Sequence, residues 1–247
     1  MSAAPRTPAD PSASTPESSP LGRSRALGRP DVVLASASPA RLTLLRTAGL
    51  DPFVRVSGVD EAAIEADLAA AGRTSPEEIC AALAQAKAYA VLEDVRAEFP
   101  EALLIACDSV LDFDGAALGK PADEATAVSR WHAMRGREGI LRTGHVLIQL
   151  GIDDTTDTMT SAVASTVVRF ANLDDHTIAA YVATGEPLRV AGSFTLDGLG
   201  GAFVDRIEGD PSNVIGLSLP LLREMLTDID VRWTDLWSTH VPTSGDV

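Results

Sequence analysis

At 247 residues, 45% of them hydrophobic, the chain is long enough to bury a full core as one sizeable domain or two small ones. A net charge of -15 with 4% aromatic residues argues against a nucleic-acid groove, which needs basic residues beside stacking platforms, and leaves free nucleotides open. No stretch has the roughly 18 unbroken apolar residues of a membrane span, and the N-terminus lacks the apolar core of a secretory signal, so a cytoplasmic protein is expected.

Residues 1–29 are dominated by Ser, Pro, Ala and Arg, with no apolar run between Pro5, Pro8, Pro11, Pro16 and Pro20, and are expected to form a disordered tail. Asp31-Val32-Val33-Leu34-Ala35 then reads as a short apolar strand. Ser36-Ala37-Ser38-Pro39 turns it into a helix with Ser38 as N-cap and Pro39 at the first helical position. Leu42, Leu45 and Ala48 line one face of that helix, and Gly49 ends it. A strand, two hydroxyls and a positive helix end, with Arg41 in the first turn, suit an oxyanion, although many α/β proteins have such a helix and bind nothing there.

Twenty residues are basic, yet only Lys87 and Lys120 are lysine. Either an ammonium is needed at those two places or an arginine-biased composition leaves them by chance. Because the chain as a whole repels anions, any phosphate site must be assembled locally. Thr74-Ser75-Pro76-Glu77-Glu78 is a capping box that opens a helix running to about Phe99, with Ile79, Leu83, Ala86 and Ala90 as its buried stripe. Lys87 then borders that stripe, placed either to snorkel or to reach a ligand.

Leu103-Leu104-Ile105-Ala106-Cys107 reads as a strand covered on both faces, with Asp108 at its C-terminal end, where α/β sheets bind ligands. A second strand from Val110 to Phe113 turns at Asp114-Gly115 towards Gly119-Lys120-Pro121, a hairpin that brings Asp108 and Lys120 near each other. An acid and a cation facing one pocket suit water activation beside phosphate; most aspartates at strand ends are simply turn residues.

A helix from about Ala122 to Arg135 follows, then a hairpin of strands at 145–150 and 162–170 across an Asp/Thr-rich turn. Asp174 or Asp175 caps the next helix. The glycines of Ala191-Gly192-Ser193-Phe194 and Asp197-Gly198-Leu199-Gly200-Gly201 imply close backbone approach. Ile207 to Pro211 reads as a turn, and Leu217 to Leu226 as a closing helix. The Thr, Ser, Gly and Pro content from Thr234 onward points to a fraying C-terminal tail at 233–247. Cys80 and Cys107 read as small buried thiols, and His132, His145, His176 and His240 lack metal-helix spacing.

The order and wording of these segments resemble the Maf family of nucleoside triphosphate pyrophosphatases over roughly residues 31–230. The likeness rests on Leu34-Ala35-Ser36-Ala37-Ser38-Pro39 with Arg41, Val59-Asp60-Glu61, Gln85-Ala86-Lys87-Ala88, Asp108-Ser109-Val110, Gly119-Lys120-Pro121, Tyr181 with Gly185-Glu186-Pro187, Ala191-Gly192-Ser193-Phe194, Gly198-Leu199-Gly200 and Asn213-Val214-Ile215-Gly216-Leu217. Both lysines fall inside these motifs.

The resemblance implies an α/β fold of the Maf and inosine-triphosphatase type over 30–232, an elongated mixed sheet flanked by helices around a central cleft, often as a homodimer. It also implies hydrolysis of a nucleoside triphosphate to the monophosphate and pyrophosphate; composition has already argued against a nucleic-acid or membrane partner. On that reading Asp108 is the proton acceptor. Ser36, Ser38, Arg41, Lys87 and Lys120 line the phosphate cleft, and Glu61 with Asp108 would hold Mg²⁺ or Mn²⁺. Ala40, Ser109 and Asp197 fall in the family's base-recognition set and depart from its frequent residues. One branch of the family prefers dTTP and UTP and another 7-methyl-GTP, and Ser193-Phe194 is more like the second. An ionised Asp197 accepts hydrogen bonds only, which suits a guanine-type edge rich in N–H donors. The family's older association with septum formation supplies another reading, a nucleotide-sensing regulator of division with little turnover. A sugar-phosphate or polyphosphate hydrolase ranks last.

Overall fold

The structure, a computed structural model, describes residues 31–151 and 156–238. The expected tail at 1–29, His240 and residues 152–155 of the Asp/Thr-rich turn lie outside the described residues.

Seven strands make one open mixed sheet: β1 (Val32–Leu34), β2 (Phe53–Val54), β3 (Leu103–Phe113), β4 (Ala116–Leu118), β5 (Glu138–Gln149), β6 (Thr158–Phe170) and β7 (Val204–Glu208). Their order is β2-β1-β3-β5-β6-β7, with β4 folded back on β3. β1 is parallel to β2 and β3, whereas β3, β5, β6 and β7 are successively antiparallel. Among the described residues seven helices flank the sheet: α1 (Pro39–Thr47), α2 (Glu61–Ala70), α3 (Pro76–Glu98), α4 (Glu124–Met134), α5 (Asp175–Ala183), α6 (Pro211–Ile215) and α7 (Leu219–Asp228).

Because side chains alternate along a strand, β3 sends two sets of residues to two layers. On one face α3 packs Ala84, Ala88, Val91 and Val95 against Val33, Leu104, Ala106, Val146 and Ile148. On the other, Leu45 of α1 and Leu222, Met225 and Leu226 of α7 cover Leu34, Leu103, Ile105 and Cys107. Farther along that second face, Leu111 and Phe113 meet Trp131 of α4 and Ile178 and Tyr181 of α5. Ser109 therefore stands on β3 between two groups of helices.

The edge of β3 is open at the same height. β5 pairs with β3 continuously from Leu103 to Asp112, so β1 and β4 must share the opposite edge. β1 reaches only Leu103 to Ile105 there, and β4 only Leu111 to Phe113. Residues 106–110 have no strand opposite them on that edge among the described residues. The sheet thus has a gap centred on Asp108.

Several sequence expectations change in detail. Asp108 lies inside one eleven-residue strand, because Leu103 to Phe113 run on without the break expected between Asp108 and Val110. The buried face of α3 is Cys80, Leu83, Ala84, Lys87, Ala88, Val91 and Val95, and Ala90 is exposed. Lys87 thus lies within the buried face and not at its border, since the helix presents Cys80 and Ala84 to the sheet where Ile79 and Ala86 were expected. α2 was not anticipated; its Asp60 N-cap accepts from Ala63 N at 3.0 Å. Ile207 and Glu208 extend β7 before the turn. Of the tail expected at 233–247, residues 239–247 lie outside the described residues and 233–238 are packed: Trp233–Leu236 is a 3₁₀ turn, Leu236 is buried with α7, and Ser238 N donates to Gly49 O at 2.7 Å. Apolar Trp233 and Leu236 outweigh the polar residues around them.

Candidate functional site

The first wall of the gap is the β1–α1 turn. Ser38 caps α1 as expected, accepting from Arg41 N at 3.4 Å. Ser36 Oγ accepts from Ser38 N at 3.1 Å and from Arg41 Nη1 at 3.2 Å. A hydroxyl has two acceptor positions and one proton, so Ser36 keeps its O–H to donate. Arg41 is 8% exposed and is held from three sides: Nε donates to Gly216 O at 2.6 Å, Nη1 to Ser36 and Nη2 to Ser109 Oγ at 2.9 Å. Three of its five N–H groups are used, and each terminal nitrogen retains one, the fork that suits a phosphate.

The second wall joins α3, β3 and α2. Lys87 Nζ lies 2.5 Å from Asp108 Oδ1 and 2.7 Å from Glu61 Oε1. The close approach depends on Gly144, which pairs with Asp108 across the β3–β5 ladder. A Cβ on Gly144 would lie 2.3 Å from Cys80 O, so glycine lets α3 rest directly on the sheet here. Burial pushes the Asp108 carboxyl above its ordinary range and Glu61 adds to that rise, while Lys87 and Arg41 work against it. Burial acts the same way on Glu61, but the hydrogen bond and charge of Lys87, with Lys120 and Arg41, hold it below the usual value.

Glu65, one turn beyond Glu61, is raised first by burial and then by the charges of Asp108 and Glu61. It is a third carboxylate of the site that the sequence reading missed. The spacing of four residues after the N-terminus of a capped helix was the available signal, but it required recognising α2.

The third wall carries Lys120 and the glycine-rich segment. Lys120 is exposed, and its charge acts on Glu61, while the ion pair of Asp108 is made with Lys87. Gly119 O accepts from Gly192 N at 3.2 Å and from Arg130 Nη1 at 2.7 Å, which ties the Lys120 turn to the glycine-rich segment. Trp131 Nε1 donates to Ser193 O at 2.8 Å, and Ser193 takes a left-handed φ of 60° there. Glu186 anchors the following loop: Oε1 accepts from Tyr181 Oη at 2.9 Å, Thr195 Oγ1 at 2.5 Å and Gly200 N at 3.0 Å, and Oε2 from Leu199 N at 3.0 Å.

Ser36, Arg41, Glu61, Lys87 and Asp108 are thus connected by contacts or charge, with Lys120 acting on Glu61. Ala40 flanks Arg41 in the first turn of α1. Ser109 contacts Arg41 directly. Asp197 is exposed on the loop that Glu186 holds, and among the described residues no ion pair joins it to the central cluster. Burial raises both Cys80 and Cys107 to about 12, in keeping with inert buried thiols.

A family model described as Maf-like protein matches residues 31–229. The chain belongs to the Maf-like family. Two relatives that this Maf-like chain resembles carry the name nucleoside triphosphate pyrophosphatase. One, from Salinispora tropica, is 54% identical over 219 residues, covering 87% of this chain and 92% of its own. The other, from Streptomyces coelicolor, is 56% identical over 207 residues, covering 84% and 94%. The Maf-like match includes every segment that forms the three walls. Among the described residues no helix is long and apolar enough to cross a membrane.

Proposed function

We propose that this protein hydrolyses a nucleoside triphosphate to the monophosphate and pyrophosphate by attack of water at the α-phosphorus. One observation carries the reading: a buried carboxylate with a raised pKa, Asp108, shares the gap in the sheet edge with the fixed cations of Arg41 and Lys87. The names of the relatives support the same reaction.

In this mechanism Ser36 O–H and the remaining N–H groups of Arg41 take phosphate oxygens, and exposed Lys120 meets the leaving pyrophosphate. Asp108 orients the water and accepts its proton. A base whose pKa is raised towards the working pH serves this better than an ordinary aspartate. Lys87 holds Asp108 in place and keeps its charge compensated. Phosphoryl transfer needs little more than such positioning and charge stabilisation.

The reading includes a divalent cation, Mg²⁺ or Mn²⁺. No group of three His, Cys, Asp or Glu side chains converges to hold one among the described residues. Glu61 fits as a carboxylate that would help hold it beside substrate phosphate, and Asp108 would join it only in the alternative in which Asp108 is a ligand that holds the water and not the base. When bound, it neutralises charge on the phosphate chain. For the base, Asp197 on the Glu186-held loop favours guanine or a modified guanine, with its row of N–H donors. The proposal also takes the enzyme to act in the cytoplasm as a homodimer, which rests on the family resemblance alone.

The test is pyrophosphate release from a panel of common and modified nucleoside triphosphates with Mg²⁺ or Mn²⁺, for wild type and Asp108→Asn. Release that vanishes in the variant while nucleotide binding persists is expected. A variant that keeps near wild-type turnover sinks the role of Asp108. Tight binding without release from any triphosphate supports the sensing role instead, and pyrimidine triphosphates as best substrates reject the base assignment.

A further inference from the structure

Arg41 reaches into the gap from a helix, yet it is oriented by the opposite side of the site. Its Nη2 donates to Ser109 Oγ at 2.9 Å, Ser109 Oγ lies 2.9 Å from Thr143 Oγ1, and Thr143 Oγ1 lies 3.3 Å from Asn213 O. The two ends of this chain fix its direction. A guanidinium only donates, and a backbone carbonyl only accepts. All three bonds exist together only when Ser109 gives its proton to Thr143 and Thr143 gives its own to Asn213.

The chain closes on itself through α6. Arg41 Nε donates to Gly216 O just after α6, and Asn213 sits within α6, so the guanidinium is fastened to one short segment both directly and through two hydroxyls. That segment is itself fixed, since Asn213 Nδ2 donates to Leu141 O and to Thr166 Oγ1, each at 3.1 Å. Thr143 is fully buried on β5, facing Ser109 across the ladder. It has no path to substrate except through its neighbours.

We propose that Thr143 and Ser109 are positioning residues that aim the Arg41 fork at phosphate through a one-way hydroxyl relay ending on α6. Ser109 then has no proton to offer a base. Its influence on substrate choice runs through the setting of Arg41, a different role from direct reading of the base. This rests on the proposed phosphate role of Arg41 and deepens it.

The test is a double-mutant cycle on the full-length protein, read as affinity for inorganic triphosphate by calorimetry and as pyrophosphate release from GTP. Thr143→Val keeps the shape and removes both the acceptor and the proton, and is expected to weaken triphosphate binding about tenfold, the scale of one charge-assisted contact of Arg41 that the broken relay no longer aims. Thr143→Ser restores the hydroxyl and is expected to bind within about twofold of wild type. In an Arg41→Ala background, Thr143→Val should have almost no further effect, because the relay then orients nothing. Ser109→Ala should behave like Thr143→Val, and supplies the same cycle if the valine variant does not fold.

Equal losses from Thr143→Val with and without Arg41 overturn the relay and leave Thr143 a packing residue. So does an unaltered affinity in Thr143→Val. Wild-type protein that binds no inorganic triphosphate removes the premise that Arg41 holds phosphate, and with it the relay. Binding that follows the expected cycle without pyrophosphate release from GTP or the wider panel leaves the relay standing and rejects hydrolysis alone.

Discussion

Lys87 Nζ approaches Asp108 Oδ1 to 2.5 Å with both side chains almost withdrawn from water, so this lysine is a main control on the acidity of Asp108. Burial raises the carboxyl and Lys87 is the largest influence lowering it again. Asp108 must be ionised to accept a proton, so activity is lost on the acid side as pH falls through its pKa. That limb of kcat/KM should lie above the ordinary aspartate range. Lys87→Met removes the lowering charge and is expected to move the limb to higher pH. Glu61→Gln removes a raising charge and should move it lower. A pH profile whose acid limb is unmoved by either variant would separate Asp108 from proton transfer.

Glu186 predicts a different separation. Its two oxygens accept four hydrogen bonds, from Tyr181, Thr195, Leu199 and Gly200, and fix the loop that carries Asp197. Nothing in that set touches Arg41, Lys87 or Asp108. Glu186→Ala frees two backbone donors and two hydroxyls at once, and is expected to narrow the preference between purine and pyrimidine triphosphates by about tenfold, the scale of one or two lost hydrogen bonds. Affinity for inorganic triphosphate should stay within about twofold. Competition assays with paired substrates read the first quantity and calorimetry the second. A variant that loses inorganic triphosphate binding while keeping base preference reverses the assignment.

These two sites differ in how far they were legible in the sequence. The β1–α1 turn was readable in full, because Ser38, Pro39 and Gly49 act on neighbours within a few residues and capping chemistry is local. α3 was readable at its start for the same reason, through Ser75 and Glu78. Its buried face was not, because burial is set by how α3 lies on the sheet at Gly144, 64 residues past Cys80 in the chain. The open edge at Asp108 follows from where β1 and β4 stop along β3, and strand register has no local signature when both neighbours are short. Thr143 and Glu65 were invisible for other reasons: one takes its place from the long-range β3–β5 pairing and the other lies on α2, a helix that was not anticipated. Lys87 and Lys120 are conspicuous by rarity, which the resemblance turns into expected roles; the structure buries Lys87 between Asp108 and Glu61 and leaves Lys120 exposed.

His145 makes stability depend on acidity in a window separate from catalysis. It is 1% exposed, and burial lowers its pKa from 6.5 to about 4. Nδ1 lies 2.9 Å from Thr143 O and Nε2 accepts Ser218 N–H at 2.8 Å, so the partners assign the proton to Nδ1 and leave no room for a second. Protonating Nε2 would set two donors against each other at the N-cap of α7, whose Leu222, Met225 and Leu226 fill the core. Between pH 6.5 and about 4 the unfolded chain binds a proton at this position that the folded chain refuses. Stability from this group is therefore complete above 6.5 and falls as pH drops towards 4, by at most about 3 kcal/mol for a shift of this size. His145→Gln keeps a donor and an acceptor and does not titrate. Thermal unfolding of wild type across this window is expected to lose stability more steeply than the glutamine variant, which should be less stable at pH 8 and closer to wild type at pH 4.5. Parallel curves for the two proteins would show that His145 takes up its proton in the folded state as readily as in the unfolded one, and that the Ser218 contact does not depend on its charge.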